Sequence, residues 1–207
     1  SGTCASRRGN SQLARSLRPA MRDRQPTLAH PTVRLRPATA EDWPALFSAA
    51  RDPAIWAGHP AHDRWREPVF RAFFEEGLAS GGLLVAIEPG SDAIIGSSRY
   101  DLSRVAAGEV EIGWTFLVRR HWGGTTNHAM KALMVGHALQ QVERVIFVIG
   151  ETNLRSRTAI ARIGAVPDDR RLTVQLSTGQ ANHLFFAIDR PTFATGPLAP
   201  LWAQRLG

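Results

Sequence analysis

Cysteine is almost absent from this chain. Cys4 is the only one in 207 residues, so neither an intramolecular disulfide nor a cysteine-built metal centre can form, and the composition suits a reducing cytoplasm. No stretch of about 18 apolar residues occurs, which leaves no candidate membrane-spanning helix. Tyrosine is as scarce: Tyr100 is the only one, which limits where a phenolic acid could act. Lysine is reduced to Lys131 beside 24 arginines, a skew that reads as codon bias of a GC-rich genome rather than as a functional signal.

Acids are missing from one end. Residues 1–31 hold six arginines (Arg7, Arg8, Arg15, Arg18, Arg22, Arg24) against Asp23, whereas the other 176 residues carry 19 bases and 17 acids. The formal charge of +7 is therefore a property of the first segment, which argues against nucleic acid as a partner of the folded part. That segment mixes Ser, Gly, Arg, Pro and Gln without apolar periodicity, reads as a basic disordered tail and lacks the apolar stretch of a secretory signal. Met21 is a candidate initiator, with residues 1–20 upstream of it. The chain is 43% apolar with six tryptophans, and residues 32–207 are expected to form one domain with a single core.

Periodicity orders the elements. Thr32–Pro37 alternates as a strand, and Thr39 with Glu41 and Asp42 opens a helix that ends at Asp52-Pro53. Trp56–Asp63 is expected as a loop, Glu67–Ala79 as a helix stopped by Gly81-Gly82, and Leu83–Ile87 with Ala93–Leu102 as a hairpin. In Glu109–Val118, Val110, Ile112, Trp114 and Phe116 alternate with Glu109, Glu111, Gly113 and Thr115, the pattern of a half-buried strand. A helix to about Gln141, a buried strand at Arg144–Ile149, a helix at Asn153–Ile163, a hairpin of Leu172–Leu176 with His183–Ile188, and a short helix near Leu198–Arg205 complete the chain. Helices interleaved with strands predict a mixed α/β (α+β) sheet of six to seven strands with helices on both faces.

The segment Arg119-Arg120-His121-Trp122-Gly123-Gly124-Thr125-Thr126-Asn127 joins the clearest strand to the longest helix. The first amides of a helix are unpaired and, with its dipole, favour a phosphate or pyrophosphate. Gly123 and Gly124 let the backbone approach such a group, and Arg119 and Arg120 add charge. With Glu151-Thr152-Asn153-Leu154-Arg155-Ser156 and the run Ala159–Ala165 downstream, the segment resembles the acetyl-CoA-binding half of the GNAT N-acetyltransferases. The Trp-Gly-Gly-x-x-Asn wording is similar to the ribosomal-protein and peptide N-terminal acetyltransferase branch, and the resemblance covers residues 32 to about 190.

The resemblance implies the GNAT fold, acetyl-CoA as co-substrate, no metal, and a primary amine of a peptide or small molecule as acceptor, with a homodimer as a candidate assembly. It assigns coenzyme A to Phe116, Leu117, Val118, Arg119, Arg120, Trp122, Gly123, Gly124, Thr125, Thr126, Asn127, Asn153 and Ser156, with Phe116–Val118 pairing to the pantetheine like an added strand. Thr125 stands where the family usually has Gly or Ala, and Ile160 where many members carry a tyrosine acid. Glu111 is the candidate base on the resemblance to the family's strand glutamate, with Glu109 on the same face as the alternative. Trp56, His59, His62 and Tyr100 are the candidate acceptor-site residues. A non-catalytic acyl-CoA-binding module is the competing reading, favoured by Ile160 and Thr125.

Overall fold

The computed structural model describes residues 20–207. The readings made on Cys4, Arg7, Arg8, Arg15 and Arg18 lie outside them.

Eight strands form one sheet in the order β1-β2-β3-β4-β5-β6-β8-β7, one more than expected. They are β1 Leu28–His30, β2 Val33–Pro37, β3 Leu83–Ile87, β4 Ile94–Asp101, β5 Glu109–Leu117, β6 Arg144–Gly150, β7 Val166–Leu176 and β8 Gly179–Asp189. The additional strand lies in the segment assigned to the tail. β1 pairs antiparallel with β2, Met21 is buried in the main core, and the Arg22 and Asp23 amides donate to Gln141 Oε1. The fold thus begins ahead of residue 32, because one buried methionine and a backbone strap hold a segment whose composition is polar.

Among the described residues seven helices cover the faces: α1 Trp43–Ala50, α2 Pro53–Trp56, α3 Glu67–Ala79, α4 Thr125–Leu139, α5 Leu154–Arg162, α6 Arg190–Thr195 and α7 Ala199–Ala203. Asp42 lies in a 3-10 turn ahead of α1 and accepts from Thr39 N–H at 2.8 Å while Arg36 grips it at 2.7 and 2.8 Å. Asp52-Pro53 does not simply stop a helix. Asp52 accepts from Ala54 N–H at 3.0 Å and opens α2, so Trp56 ends a helix rather than starting a loop. The last hairpin is longer than expected, since VPDDRR reads as polar loop but pairs with β8 across a bulge.

On one face α4, α5 and α7 pack on Leu35, Leu84, Ile95, Val110, Ile112, Val145 and Phe147. On the other, α1–α3 build an aromatic layer with Leu83, Val85 and Phe116. Strict alternation along β5 fails after Gly113. Trp114 adopts φ 52°, and the register with β4 slips between Ser97 and Arg99. Val110 and Ile112 therefore face α4, whereas Phe116 faces the aromatic layer. A methyl at Gly96 would overlap the Phe116 carbonyl oxygen, so β4 can follow this bulge only without a side chain there. Gly96→Ala is expected to destabilise the protein by about 2–3 kcal/mol, read as a lower urea midpoint at unchanged slope.

Candidate active site

β5 and β6 are the one parallel pair among the described residues, and they pair only from Glu109↔Arg144 to Glu111↔Ile146. Beyond that point the two strands diverge, so the β6-facing backbone groups of β5 have no strand to pair with. Strand β5 then leads through the turn Arg119–His121 into α4. The first-turn amides of Thr125, Thr126 and Asn127 have no intrahelical acceptor, and the N-cap, Gly124, supplies no side-chain cap. A cavity of about 230 Å³ fills the wedge between the diverging strands and reaches Gly123 and Asn127 at the helix start.

Of the residues expected to bind a cofactor, Phe116, Leu117, Trp122, Gly123, Asn127, Asn153 and Ser156 line this cavity. Asn153 caps α5, accepting from Ser156 N–H at 3.2 Å. Gly123 sits at φ 70°, a backbone conformation in which a β-branched residue would be strained.

Others on that list lie off the cavity wall or have side-chain partners of their own. Val118 N–H donates to Ile95 O, and Leu117 O accepts from Trp122 Nε1, so the open edge of β5 begins earlier than Phe116–Val118, at Ile112. Arg119 is paired to Asp52 at 2.6 Å and Arg120 lies 3.6 Å from Glu88, both on the surface. The Thr126 hydroxyl is held by His121, which bonds Glu88 at 2.9 Å. Gly124 and Thr125 are exposed at the helix tip, off the cavity wall.

Neither glutamate opens onto the cavity. Glu109 belongs to a four-member ion cluster in which Arg144 and Arg170 both hold Glu109 and Asp168 at 2.8–2.9 Å. Arg170 and Arg144 keep the Asp168 carboxyl below its ordinary range. Both oxygens of Glu109, the alternative base, are engaged by these arginines and by the Ala106 amide. The Glu111 side chain is fully buried, and Arg104 forks onto both of its oxygens at 2.6 and 3.0 Å. Burial raises its pKa despite that pair. Gly113 stands between the carboxylate and the cavity; a Cβ there would come within 2.9 Å of Oε1. The carboxylate is not itself part of the cavity wall.

The acceptor-site candidates separate as well. Trp56 and His59 line the cavity, while His62 is exposed and off its wall. Trp56 is fixed by Nε1–H donating to Ala50 O at 2.8 Å. His59 Nδ1 accepts from Ala61 N–H at 2.9 Å, and burial beside Arg64 pushes its pKa down to about 3. It is a neutral donor through Nε2 near neutrality, not a base. Tyr100 belongs to the core: it is fully buried under α4, with its hydroxyl donating to Met134 O at 2.7 Å. The alternation of β4 allowed this placement but gave no means of choosing between the two faces.

Four basic or imidazole side chains of the cavity wall were not expected there. Arg155 lays its guanidinium on the Trp122 ring at 3.9 Å and donates to Ile55 O. His183 reaches the wall from β8, opposite Gly150, and His121 from the turn before α4. Lys131 lies one helical turn below Asn127. The spacing of 127 and 131 was visible in the sequence, whereas Arg155 and His183 come together only through the sheet order. The wall carries cations and histidines but no aspartate or glutamate among the described residues, a donor set suited to an anionic ligand. No group of three or more His, Cys, Asp or Glu among the described residues could hold a metal ion, and no helix among them is long and apolar enough to cross a membrane.

A sequence search of curated proteins found no match. Among solved structures, a GCN5-related N-acetyltransferase from Brucella melitensis has a similar fold, with a TM-score of 0.73 at 16% identity over 90% of this chain and 87% of the other. A probable GNAT-family acetyltransferase from Chromobacterium violaceum gives 0.75 at 19% identity over 94% and 98%. Mycobacterium smegmatis RimJ, in complex with CoA-disulfide, gives 0.63 at 17% over 87% and 94%. The acetyltransferase (GNAT) domain model matches residues 32–166, well over half of the sequence. The chain therefore belongs to the GNAT acetyltransferase family and is an acetyl-CoA-dependent acyltransferase.

Proposed function

We propose that this enzyme moves an acetyl group from acetyl-CoA to a primary amine, with the peptide α-amine as the favoured acceptor. The observation that carries the reading is the wedge between β5 and β6, which opens over the bare N-terminus of α4. A pyrophosphate suits the amides of Thr125–Asn127 beside Gly123, where dipole and unpaired N–H groups act together. The unpaired edge of β5 suits the amides of a pantetheine arm, with Asn127, Asn153 and Ser156 around it. The amine would enter from the side of Trp56 and His59. An acid-free wall offers nothing to a polycation such as an aminoglycoside, which leaves a singly charged α-amine as the better fit. The similar fold of RimJ, solved with CoA-disulfide, supports the same branch.

Within this reading Glu111 is a positioning residue. It anchors Arg104, whose guanidinium stacks at 4.5 Å on Trp114, the cavity residue at the bulge. The acceptor nitrogen gives its proton to solvent.

Calorimetric titration with coenzyme A tests the assignment. Arg155→Ala is expected to weaken coenzyme A about tenfold without altering the fold, because it removes a cation from the cavity wall and its stack on Trp122. Acetyl-CoA with a panel of peptides and small amines should release thiol fastest with a free peptide N-terminus. Ile160 on the wall, in place of a phenol, favours a second reading as a non-catalytic acyl-CoA module. Binding without turnover across the panel would establish that one, and no binding at all would end both.

A further inference from the structure

The only lysine of the sequence is at the apex of the wedge. Lys131 is 4% exposed and lines the cavity. Its Nζ lies 2.6 Å from Thr115 Oγ1, just past the β5 bulge, and 5.7 Å from the Phe147 ring centroid. Phe147 follows the last residue of β6 that pairs with β5, so the ammonium sits where the two strands part. Thr115 in turn bonds Ser98 Oγ at 2.8 Å. No acid is on the cavity wall to neutralise Lys131, and its single hydrogen-bond partner among the described residues is that hydroxyl. Burial alone brings its pKa down to about 7.

Arginine fills the other 24 basic positions of the sequence, and only this one is a lysine. A guanidinium cannot release a proton, whereas a buried ammonium can. The wall offers no equivalent donor. Ile160 has no proton to give. His59 is neutral, with its pKa near 3, and burial lowers that of His183. His121 is tied between Thr126 and Glu88.

We propose that Lys131 is the acid of the transfer step, delivering a proton from its ammonium to the sulfur of the departing coenzyme A. The reaction balances without another reagent. The acceptor nitrogen forms its bond to the acetyl carbon, the carbon–sulfur bond breaks, and its electron pair goes to sulfur, which takes the Lys131 proton. The nitrogen loses one proton to solvent, and neutral Lys131 regains one from solvent before the next turnover. The inference rests on the acetyl-CoA reading of the same cleft.

The sign of the pH dependence follows. The acid form is lost as pH rises, so kcat should carry a descending basic limb. The groups facing Lys131 are His59 from the loop after α2, His121 from the turn before α4, Arg155 from α5 and His183 from β8, with Glu111 behind Gly113. Burial holds His59 and His183 below the ordinary imidazole range, and His121 is bonded between Thr126 and Glu88.

A single lysine makes the test specific. Protein carrying 13C-labelled lysine gives one side-chain signal, whose titration is followed in the free protein, with coenzyme A and with desulfo-coenzyme A. The expected result is a midpoint near 7 in the free protein, an upward shift with coenzyme A, and a smaller one with the analogue lacking sulfur. With acetyl-CoA and the best peptide of the panel, Lys131→Met and Lys131→Arg should both lose about 100-fold in kcat and the basic limb, at coenzyme A affinity within threefold of wild type. Identical titrations with the two ligands, or a variant that keeps kcat and the limb, would overturn the proposal. No response to either ligand would overturn the coenzyme A reading beneath it.

Discussion

Glu111→Ala is expected to lower the unfolding free energy by about 3–5 kcal/mol, the cost of leaving one member of a buried ion pair alone. In a chain of this size that is a fall in Tm of about 10 °C. The cost arises because the Glu111 carboxylate is wholly enclosed and takes both arms of Arg104. Removing it leaves a guanidinium, only 23% exposed, with no acceptor at that place. Arg104 would then be free to leave Trp114, and the bulge residue would keep only the Arg99 guanidinium stacked on its ring.

Two further readouts separate this account from base catalysis by Glu111. Burial raises the Glu111 pKa, so the folded protein binds that proton more tightly than the unfolded chain. The group's contribution to stability is complete below the unfolded carboxyl range and is lost as pH rises through the folded value. Glu111→Gln should remove that dependence, seen as a urea midpoint that changes less as pH rises above the ordinary carboxyl range. The same variant should lose kcat while the acidic limb of kcat/KM stays in place. Disappearance of that limb would return Glu111 to the role of base.

Much of this architecture was legible because its local signals agree. Glu67–Ala79 carries helical spacing, Leu83–Ile87 is too short and β-rich to be anything else, and Gly123-Gly124 before a long amphipathic run marks a helix N-terminus. What escaped the sequence required contacts far apart along the chain. β1 forms because β2 offers it an edge, not because Leu28-Ala29-His30 insists on it. The exchange of faces within β5 depends on a bulge at Trp114, where period two cannot be extrapolated. The site divides in the same way. Several residues named near the glycine turn line the cavity, whereas Arg119, Arg120 and Thr126 have partners of their own, Asp52, Glu88 and His121, that no spacing could disclose. Lys131 was visible as an oddity of composition, and only burial gives it chemical meaning.

The aromatic layer on the opposite face carries the other large effect. Phe70 is completely buried and its ring meets those of Trp43, Phe47, Trp56, Phe73 and Phe116 at centroid distances of 5.1–6.4 Å. Phe70→Ala removes the common neighbour of five rings and is expected to cost about 3–5 kcal/mol. Phe70→Leu, which keeps most of the volume, should cost far less and permits kinetics on folded protein. Its effect on the site should be one-sided. Trp56, at the proposed amine entrance, rests on this layer, and Phe116 anchors β5 beyond the bulge. The coenzyme A side rests instead on α4 and β6, in the separate core cluster across the sheet. In Phe70→Leu the KM for a peptide acceptor should therefore rise several-fold while coenzyme A affinity changes little. Equal loss of both would mean that the two faces are mechanically coupled through β5, and that the division of the cavity into a cofactor side and an acceptor side is wrong.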